Sequence, residues 1–382
     1  MRITKFMAPE IIFGVGSISQ VGESLLRLGA KKVFIGSDTG VVQHGWADKV
    51  IHYLKQNRLD YHLWTNTSPN PKDFEVHAGV EEYLSAHCNA VLGIGGGSAI
   101  DAAKAIALLA TNRGTIHQYE GVDKITRPLP PMVMIPTTAG SGSEVSQFSI
   151  IVDTHRKVKM TIVSKSLIPD IAIVDPDTLT TKDSRLTANT GMDVLTHAIE
   201  SYVSVAATPL TEVYSLQAAR LVAQYLRPST ASQSNREAKE AMAMASLQAG
   251  IAFSNAILGA VHAISHQLGG LLDTPHGEVN AILLPYVMQY NYIACPEKYK
   301  DIAEALGEQV VDVSPHRASK LAIQAVRELA RDLDIPTSLS NLGLNDEQIP
   351  MLSRNAVQDV CMFTNPRDMS AEDVSTLLRQ AL

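Results

Sequence analysis

Two domains of different class are predicted from the sequence: an α/β domain on a mostly parallel sheet over residues 1–183, then an all-helical domain over residues 184–382. Before about residue 180 the apolar runs KKVFIGSD, AVLGIGGG, PMVMIPTT and DIAIVDP each end in polar or glycine-rich residues and alternate with helical stretches. Strands that are apolar throughout and spaced by helices belong to a parallel sheet covered on both faces. Beyond LTTKDSRLT the texture changes. TEVYSLQAARLVAQYL, REAKEAMAMASLQAGIAF, ASKLAIQAVRELARDL and AEDVSTLLRQAL show helical periodicity with almost no strand signal.

The 382 residues are 45% hydrophobic and 19% charged, with a formal net charge of −7. That balance predicts a soluble globular chain and argues against nucleic acid or an anionic membrane as partner. Cys88, Cys295 and Cys361 are far apart and form no CxxC pair, so neither a zinc-finger spacing nor a disulfide framework is expected. The start, MRITKFMAPE, lacks the apolar core of a signal peptide, and the cytoplasm is the expected compartment.

In AVLGIGGGSAIDAAKAIAL an apolar strand runs into Gly93, Gly95, Gly96 and Gly97. Ser98 then reads as a helix N-cap, and Asp101 as part of the first turn of an amphipathic helix. Glycines let the backbone approach a phosphate, and a helix start offers free N–H donors, so the turn reads as a diphosphate cradle. GxGGGS departs from the common dinucleotide fingerprint, and no GK[ST] follows to make a P-loop. Asp38 ends KKVFIGSD, where a carboxylate would accept ribose hydroxyls and repel a 2′-phosphate, which points to NAD over NADP. IPTTAGSGSEVSQFSII adds hydroxyls and N–H groups behind a strand end, and Lys159 in KVKMTIV is a candidate cation beside the nucleotide.

Four of the twelve histidines fall into a pattern. GMDVLTHAIE sets Asp193 and His197 one helical turn apart, GAVHAISHQLGG does the same for His262 and His266, and LLDTPHGEVNAILLP adds His276. One such pair alone is more often a hydrogen-bonded couple than a ligand pair, but two pairs and a loop histidine point to a metal. Imidazole and carboxylate without thiolate suit Fe(II), Zn(II), Mn(II) or Co(II). Five candidates exceed the four ligands such an ion takes when it keeps an open position, and spacing does not say which is left over.

Taken together, GMDVLTHAIE, HAISHQLGG with PHGEVNAILLP, GIGGGSAIDAAKAIAL, PTTAGSGSEVSQFSI and FTNPR resemble the iron-containing, group III alcohol dehydrogenase family over nearly the whole chain. The resemblance implies a dehydroquinate synthase-like fold with an NAD-binding domain before a metal-binding one. It implies Asp193, His197, His262 and His276 as metal ligands, with His266 facing the site as proton relay. The implied nucleotide site is Asp38, Asn70, Gly95, Gly96, Gly97, Ser98, Thr137, Thr138, Lys159 and Leu179, to which Asp101 is added from the glycine-rich helix. Phe253 and Cys361 flank the motifs and are expected to line the substrate pocket. The chain departs from the family where members carry a proline before the GMD helix, here Lys182, Asp183 and Ser184, and after GGGS, here Ala99.

The expected activity is NAD-dependent interconversion of small primary alcohols (ethanol, propanol, butanol or a propanediol) and aldehydes. Fe(II) is the expected metal, and Zn(II) suits the same ligands in a purified sample. A zinc glycerol dehydrogenase shares the reaction type. A lyase of the dehydroquinate synthase kind calls for Lys or Arg around the metal motifs, and residues 187–205 and 255–285 contain none. A non-catalytic nucleotide-binding protein would show gaps in the ligand set, and all five positions are filled. The opening segment RITKFMAPEIIFG is apolar enough to pair along an edge with another chain, which suggests a homodimer or larger assembly.

Overall fold

The computed structural model describes residues 5–382. Its contacts divide the chain after Thr181 into one unit of Phe6–Thr181 and another holding Lys182–Leu382. The first is an α/β unit with strands β1 (Glu10–Phe13), β2 (Lys32–Gly36), β3 (Asp60–Trp64), β4 (Ala90–Gly95), β5 (Gly121–Val122), β6 (Met132–Pro136), β7 (Phe148–Asp153), β8 (Val158–Val163) and β9 (Ile171–Val174). Six of these form one sheet in the order β1-β9-β6-β4-β2-β3, and every pairing is parallel. Side chains alternate between its faces. Val33, Ile35, Leu92, Ile94, Val133 and Ile135 enter one apolar core, while Phe34, Val91, Met132 and Met134 enter the other. The four strand runs seen in the sequence are therefore apolar throughout because both faces are covered.

The opening segment forms β1, paired in parallel with β9 at an edge of the sheet; Met1–Thr4 lie outside the described residues. A second sheet, ordered β5-β8-β7, was not anticipated. Its β7–β8 pairing is antiparallel over six residue pairs, so FSII is strand rather than polar loop, and Lys159 sits within β8. The signal was two apolar runs flanking the polar turn THRK.

The helix after β4, Gly97–Thr111, also differs from expectation. Gly96 is the N-cap; Ser98 lies inside the first turn, and Asp101 comes after it. The helix is not amphipathic: Ala99 to Leu109 is buried without interruption. It lies against β4, β7 and the Asp73–Ser85 helix, so no face is left for water. That burial takes in charge. Lys104 Nζ donates to Ser146 O at 2.7 Å and Phe148 O at 3.0 Å, and Glu144 is also buried, one of its oxygens lacking a partner among the described residues.

The second unit is helical, with no strand among the described residues. Its long helices are Ser184–Val203, Pro209–Ala231, Arg236–Ala256, Ala260–Leu272, His276–Asn291 and Pro315–Asp332. Asp183 caps the first by accepting from Leu186 N at 2.7 Å, which starts the helix where relatives are expected to use proline. Gly191 to Val203 is buried without a break, because this helix packs on Pro209–Ala231, Arg236–Ala256 and His276–Asn291. Asp193 thus lies in mid-helix, where the macrodipole gives no reason for a carboxylate. No single described helix is long and apolar enough to cross a membrane.

Burial raises the Glu144 carboxyl from its ordinary 4.5 to about 7, the nearby Lys104 opposing only in part. Between those values the folded chain holds a proton that the unfolded chain releases, so this group makes stability fall as pH rises. Glu144→Gln should flatten that part of the stability profile measured by urea unfolding. A decline as steep as that of the wild type would show that the carboxylate is not its source.

Candidate functional site

The helical unit gathers most of the histidine pattern into one cluster, buried except at the half-buried His276. One ligand atom each from Asp193, His262 and His276 lies within 4.8 Å of the others. Asp193 Oδ1 is 3.7 Å from His262 Nε2 and 3.9 Å from His197 Nε2. His197 adjoins the trio rather than completing it at that distance: its ring stacks on His262 at 4.6 Å and on Phe253 at 4.5 Å. His266 stacks on His276 at 5.6 Å. Phe253 and Cys361 are both buried in the same unit.

Three side chains that the sequence reading did not single out hold the cluster. Glu200 accepts from Val261 N at 2.7 Å with one oxygen and meets His262 Nδ1 at 2.6 Å with the other. It thereby caps the Ala260–Leu272 helix and fixes the His262 ring, leaving Nε2 turned to Asp193. Asn280 Nδ2 donates to Asp193 Oδ1 at 2.7 Å and lies 3.1 Å from His262 Nε2 and 3.2 Å from His276 Nε2. Asp359 Oδ2 meets His266 Nδ1 at 2.9 Å. Two of the three had a sequence signal: Glu200 is the last residue of GMDVLTHAIE, two turns from Asp193, and Asn280 is one turn from His276. Asp359 had none.

The electrostatics favour a cation. Burial by itself would raise the Asp193 carboxyl, but the imidazoles of His197, His262 and His276 hold it well below the usual carboxylate range. Burial would lower His262, yet the carboxylates of Asp193 and Glu200 beside it push it up to about 9. Two buried carboxylates are thus drawing positive charge onto a histidine. A divalent ion would supply that charge, and the nitrogen and oxygen donors suit a first-row metal. The residues present fit the group the sequence implies.

Close backbone approach makes this convergence possible. Glu278 accepts from Asn189 Nδ2 at 3.2 Å and from Arg185 Nη2 at 3.2 Å, tying the His276 helix to the Asp193 helix. At Gly277 an added Cβ would lie 2.3 Å from the Asn189 carbonyl oxygen, so only glycine lets the two helices meet there.

In the α/β unit the expected nucleotide residues lie on β4 and β8 and on the segments that follow β2, β3, β4, β6 and β9. Asp38 caps the short Thr39–Gln43 helix by accepting from Val41 N at 2.9 Å, and its other oxygen faces Gly95. Gly95 has φ +156, and a Cβ there would lie 2.5 Å from Ala99 Cβ. Ser98 Oγ accepts from Asn70 N at 3.3 Å. Thr137 N donates to Gly95 O at 2.8 Å, while its hydroxyl is buried with no partner among the described residues. A Cβ on Gly96 would lie 3.5 Å from the Thr138 side chain. Asp101 Oδ2 accepts from Ile150 N at 3.2 Å, and burial lifts its carboxyl to about 6 against the pull of Lys104. Lys159 and Leu179 are buried, on β8 and on the Pro176–Thr181 turn. Half-buried glycine backbone at a helix start and an unclaimed hydroxyl suit a phosphate-bearing ligand.

Gly277→Ala is expected to separate the two helices at a cost of about 1–3 kcal/mol, lowering the melting temperature by several degrees. Far-ultraviolet circular dichroism during heating measures it; an unchanged transition would mean that the contact relaxes freely.

Comparison with known proteins gives the family. The profile of the Fe-containing alcohol dehydrogenase family, C-terminal, matches residues 187–382, and that of iron-containing alcohol dehydrogenase matches residues 8–176. The chain is 43% identical to a 1,3-propanediol dehydrogenase of Klebsiella pneumoniae, covering 100% of this chain and 99% of that one. It is 40% identical to an NAD-dependent methanol dehydrogenase of Bacillus methanolicus, covering 99% of each. A crystal structure of 1,3-propanediol oxidoreductase superposes with a TM-score of 0.97 at 43% identity over 100% of both chains. A sulfoacetaldehyde reductase from Bifidobacterium kashiwanohense, solved with NAD+, gives 0.87 at 30% identity over 100% of this chain and 99% of that one. The chain belongs to the iron-containing alcohol dehydrogenase family and is an oxidoreductase.

Proposed function

We propose that this enzyme interconverts short primary alcohols and diols, 1,3-propanediol foremost, with their aldehydes, using NAD(H) and one Fe(II) held by Asp193, His197, His262 and His276. The convergence of Asp193, His262 and His276 in a buried, anion-rich site carries the reading. The relatives support the substrate class: the two named act on 1,3-propanediol and methanol by name, and a third, from Escherichia coli K12, is a lactaldehyde reductase 37% identical over 97% of each chain. The reaction balances as alcohol plus NAD+ giving aldehyde, NADH and a proton. When bound, the divalent ion supplies Lewis acidity that favours the alkoxide near neutral pH.

The chain's own groups do the rest. Glu200 holds His262 Nδ1, so Nε2 remains a donor. Asp359 holds His266 Nδ1, which leaves the other ring nitrogen of His266 to take the alcohol proton in one direction and return it in the other. Phe253, stacked on His197, and Cys361 form the apolar side of a pocket suited to a short carbon chain. Asn70, Gly95, Gly96, Gly97, Ser98, Asp101, Thr137, Thr138, Lys159 and Leu179 hold the nucleotide, and Asp38 selects NAD. We also propose a cytoplasmic homodimer or larger homo-oligomer: the three cysteines are unpaired, and β1 is a sheet edge with Ile11 and Val15 exposed nearby.

Protein stripped of metal and refilled with Fe(II) without oxygen should reduce NAD with 1-propanol and 1,3-propanediol. His262→Ala should bind no stoichiometric iron and lose turnover by about 1,000-fold or more. Binding of NAD without metal and without turnover would sink the reading. Glu200→Gln should keep the fold but weaken metal binding by about 10–100-fold, read by competition with a chelator. Equal use of NADP and NAD by the wild type would remove Asp38 as the selector.

A further inference from the structure

Beside the Asp193 cluster lies a second set of metal-ligating side chains with a different composition. His266, Asp359 and Cys361 each offer an atom within 4.8 Å of the other two. The His266 and Asp359 side chains are 5% and 4% exposed, and Cys361 is 1% exposed. Their grouping is built by the backbone. Asp359 caps the Val360–Thr364 turn by accepting from Cys361 N at 2.9 Å, which brings the thiol back towards the carboxylate two residues earlier. Asp359 Oδ2 then reaches the Ala260–Leu272 helix at His266 Nδ1, 2.9 Å away, with Gln267 Nε2 at 3.5 Å.

We propose that His266, Asp359 and Cys361 form a second cation seat, selective for thiophilic divalent ions such as Zn(II) or Cd(II), next to the Asp193 set and sharing no ligand with it. Tetrahedral ligand atoms on one ion with bonds of about 2.0–2.2 Å stand about 3.3–3.6 Å apart, so the 2.9 Å between this ring nitrogen and carboxylate oxygen has to open by only about half an ångström. The charges also close. A divalent ion with one carboxylate, one thiolate and one neutral imidazole is a neutral assembly, which a buried place tolerates. Binding breaks the Cys361 S–H bond and forms a metal–sulfur bond; the thiol proton leaves to solvent. A sulfur donor separates this seat from the nitrogen and oxygen donors of the Asp193 set, since soft ions prefer thiolate and Fe(II) does not require it.

Occupation would take His266 out of proton transfer, so the seat is inhibitory. That consequence rests on the dehydrogenase reading; binding itself does not.

The test adds Cd(II) to the iron-loaded enzyme and follows the thiolate-to-cadmium absorption in the ultraviolet together with the iron and cadmium bound per chain. The expected result is a thiolate band, about one cadmium per chain with iron retained, and parallel loss of alcohol oxidation. Cys361→Ala and Cys361→Ser should each abolish the band, and Asp359→Asn should weaken cadmium binding by about 10–100-fold. No band in the wild type, or a band that persists in both Cys361 variants because Cys88 or Cys295 carries it, overturns the seat. Band and stoichiometry without inhibition keep the seat and count against His266 as relay. Absence of iron in the starting protein counts against the Asp193 set and leaves the thiolate readout intact.

Discussion

The helical unit is organised around one carboxylate. Glu200 faces two demands that are expensive to leave unmet: the free N–H groups at the start of the Ala260–Leu272 helix, and the Nδ1 proton of a fully buried histidine. It meets both because it projects from the most buried stretch of the Ser184–Val203 helix, two turns beyond Asp193. One helix therefore supplies Asp193, His197 and the group that aims His262, so those three cannot drift independently. Gly277 adds the fourth constraint, drawing the His276 helix against the backbone at Asn189. Ligand geometry here is a consequence of helix packing.

In the α/β unit the corresponding constraint is the all-round burial of Gly97–Thr111. A helix with no wet face would ordinarily be wholly apolar, yet this one carries Asp101 and Lys104. Lys104 binds backbone carbonyls of Ser146 and Phe148, and Asp101 binds the N–H of Ile150. These charges stitch the helix to the β7 segment and to the loop carrying Glu144. Burial pulls Lys104 down to about 8, with Asp101 and Glu144 opposing, so the ammonium is held only because anions and carbonyls surround it.

Periodicity made most of the fold legible. Parallel strands, buried on both faces, leave continuous apolar runs, and helices leave a period near 3.6; the switch between them near residue 180 was plain. The β7–β8 hairpin was hidden because FSIIVD follows directly on a stretch rich in serine and glycine. At the site, i, i+4 spacing displays whatever shares one helix face, so Asp193 with His197 and His262 with His266 stood out. It is silent about partners contributed by another element. Asp359 is 93 positions from His266 and sits before a short turn, so only the tertiary fold reveals it. Asn280 is one turn from His276, but an amide is not a usual ligand; its part is to hold ligands, which spacing alone does not distinguish from packing.

The site contains two carboxylate–histidine pairs of similar geometry, and their difference bears on function. Glu200 holds His262 at 2.6 Å, and the free side of that ring looks at Asp193. Asp359 holds His266 at 2.9 Å, but no separation between that ring and Asp193 brings it into the ligand trio. A carboxylate on Nδ1 fixes the tautomer in both cases. The free side of His262 faces the gathered trio, as the proposed metal ligand requires. The His266 ring stacks on His276 outside that trio, which is the placement the proposed proton relay requires. The element on which each carboxylate stands separates the two pairs: Glu200 belongs to the helix that carries Asp193, whereas Asp359 belongs to a turn that leads to Cys361.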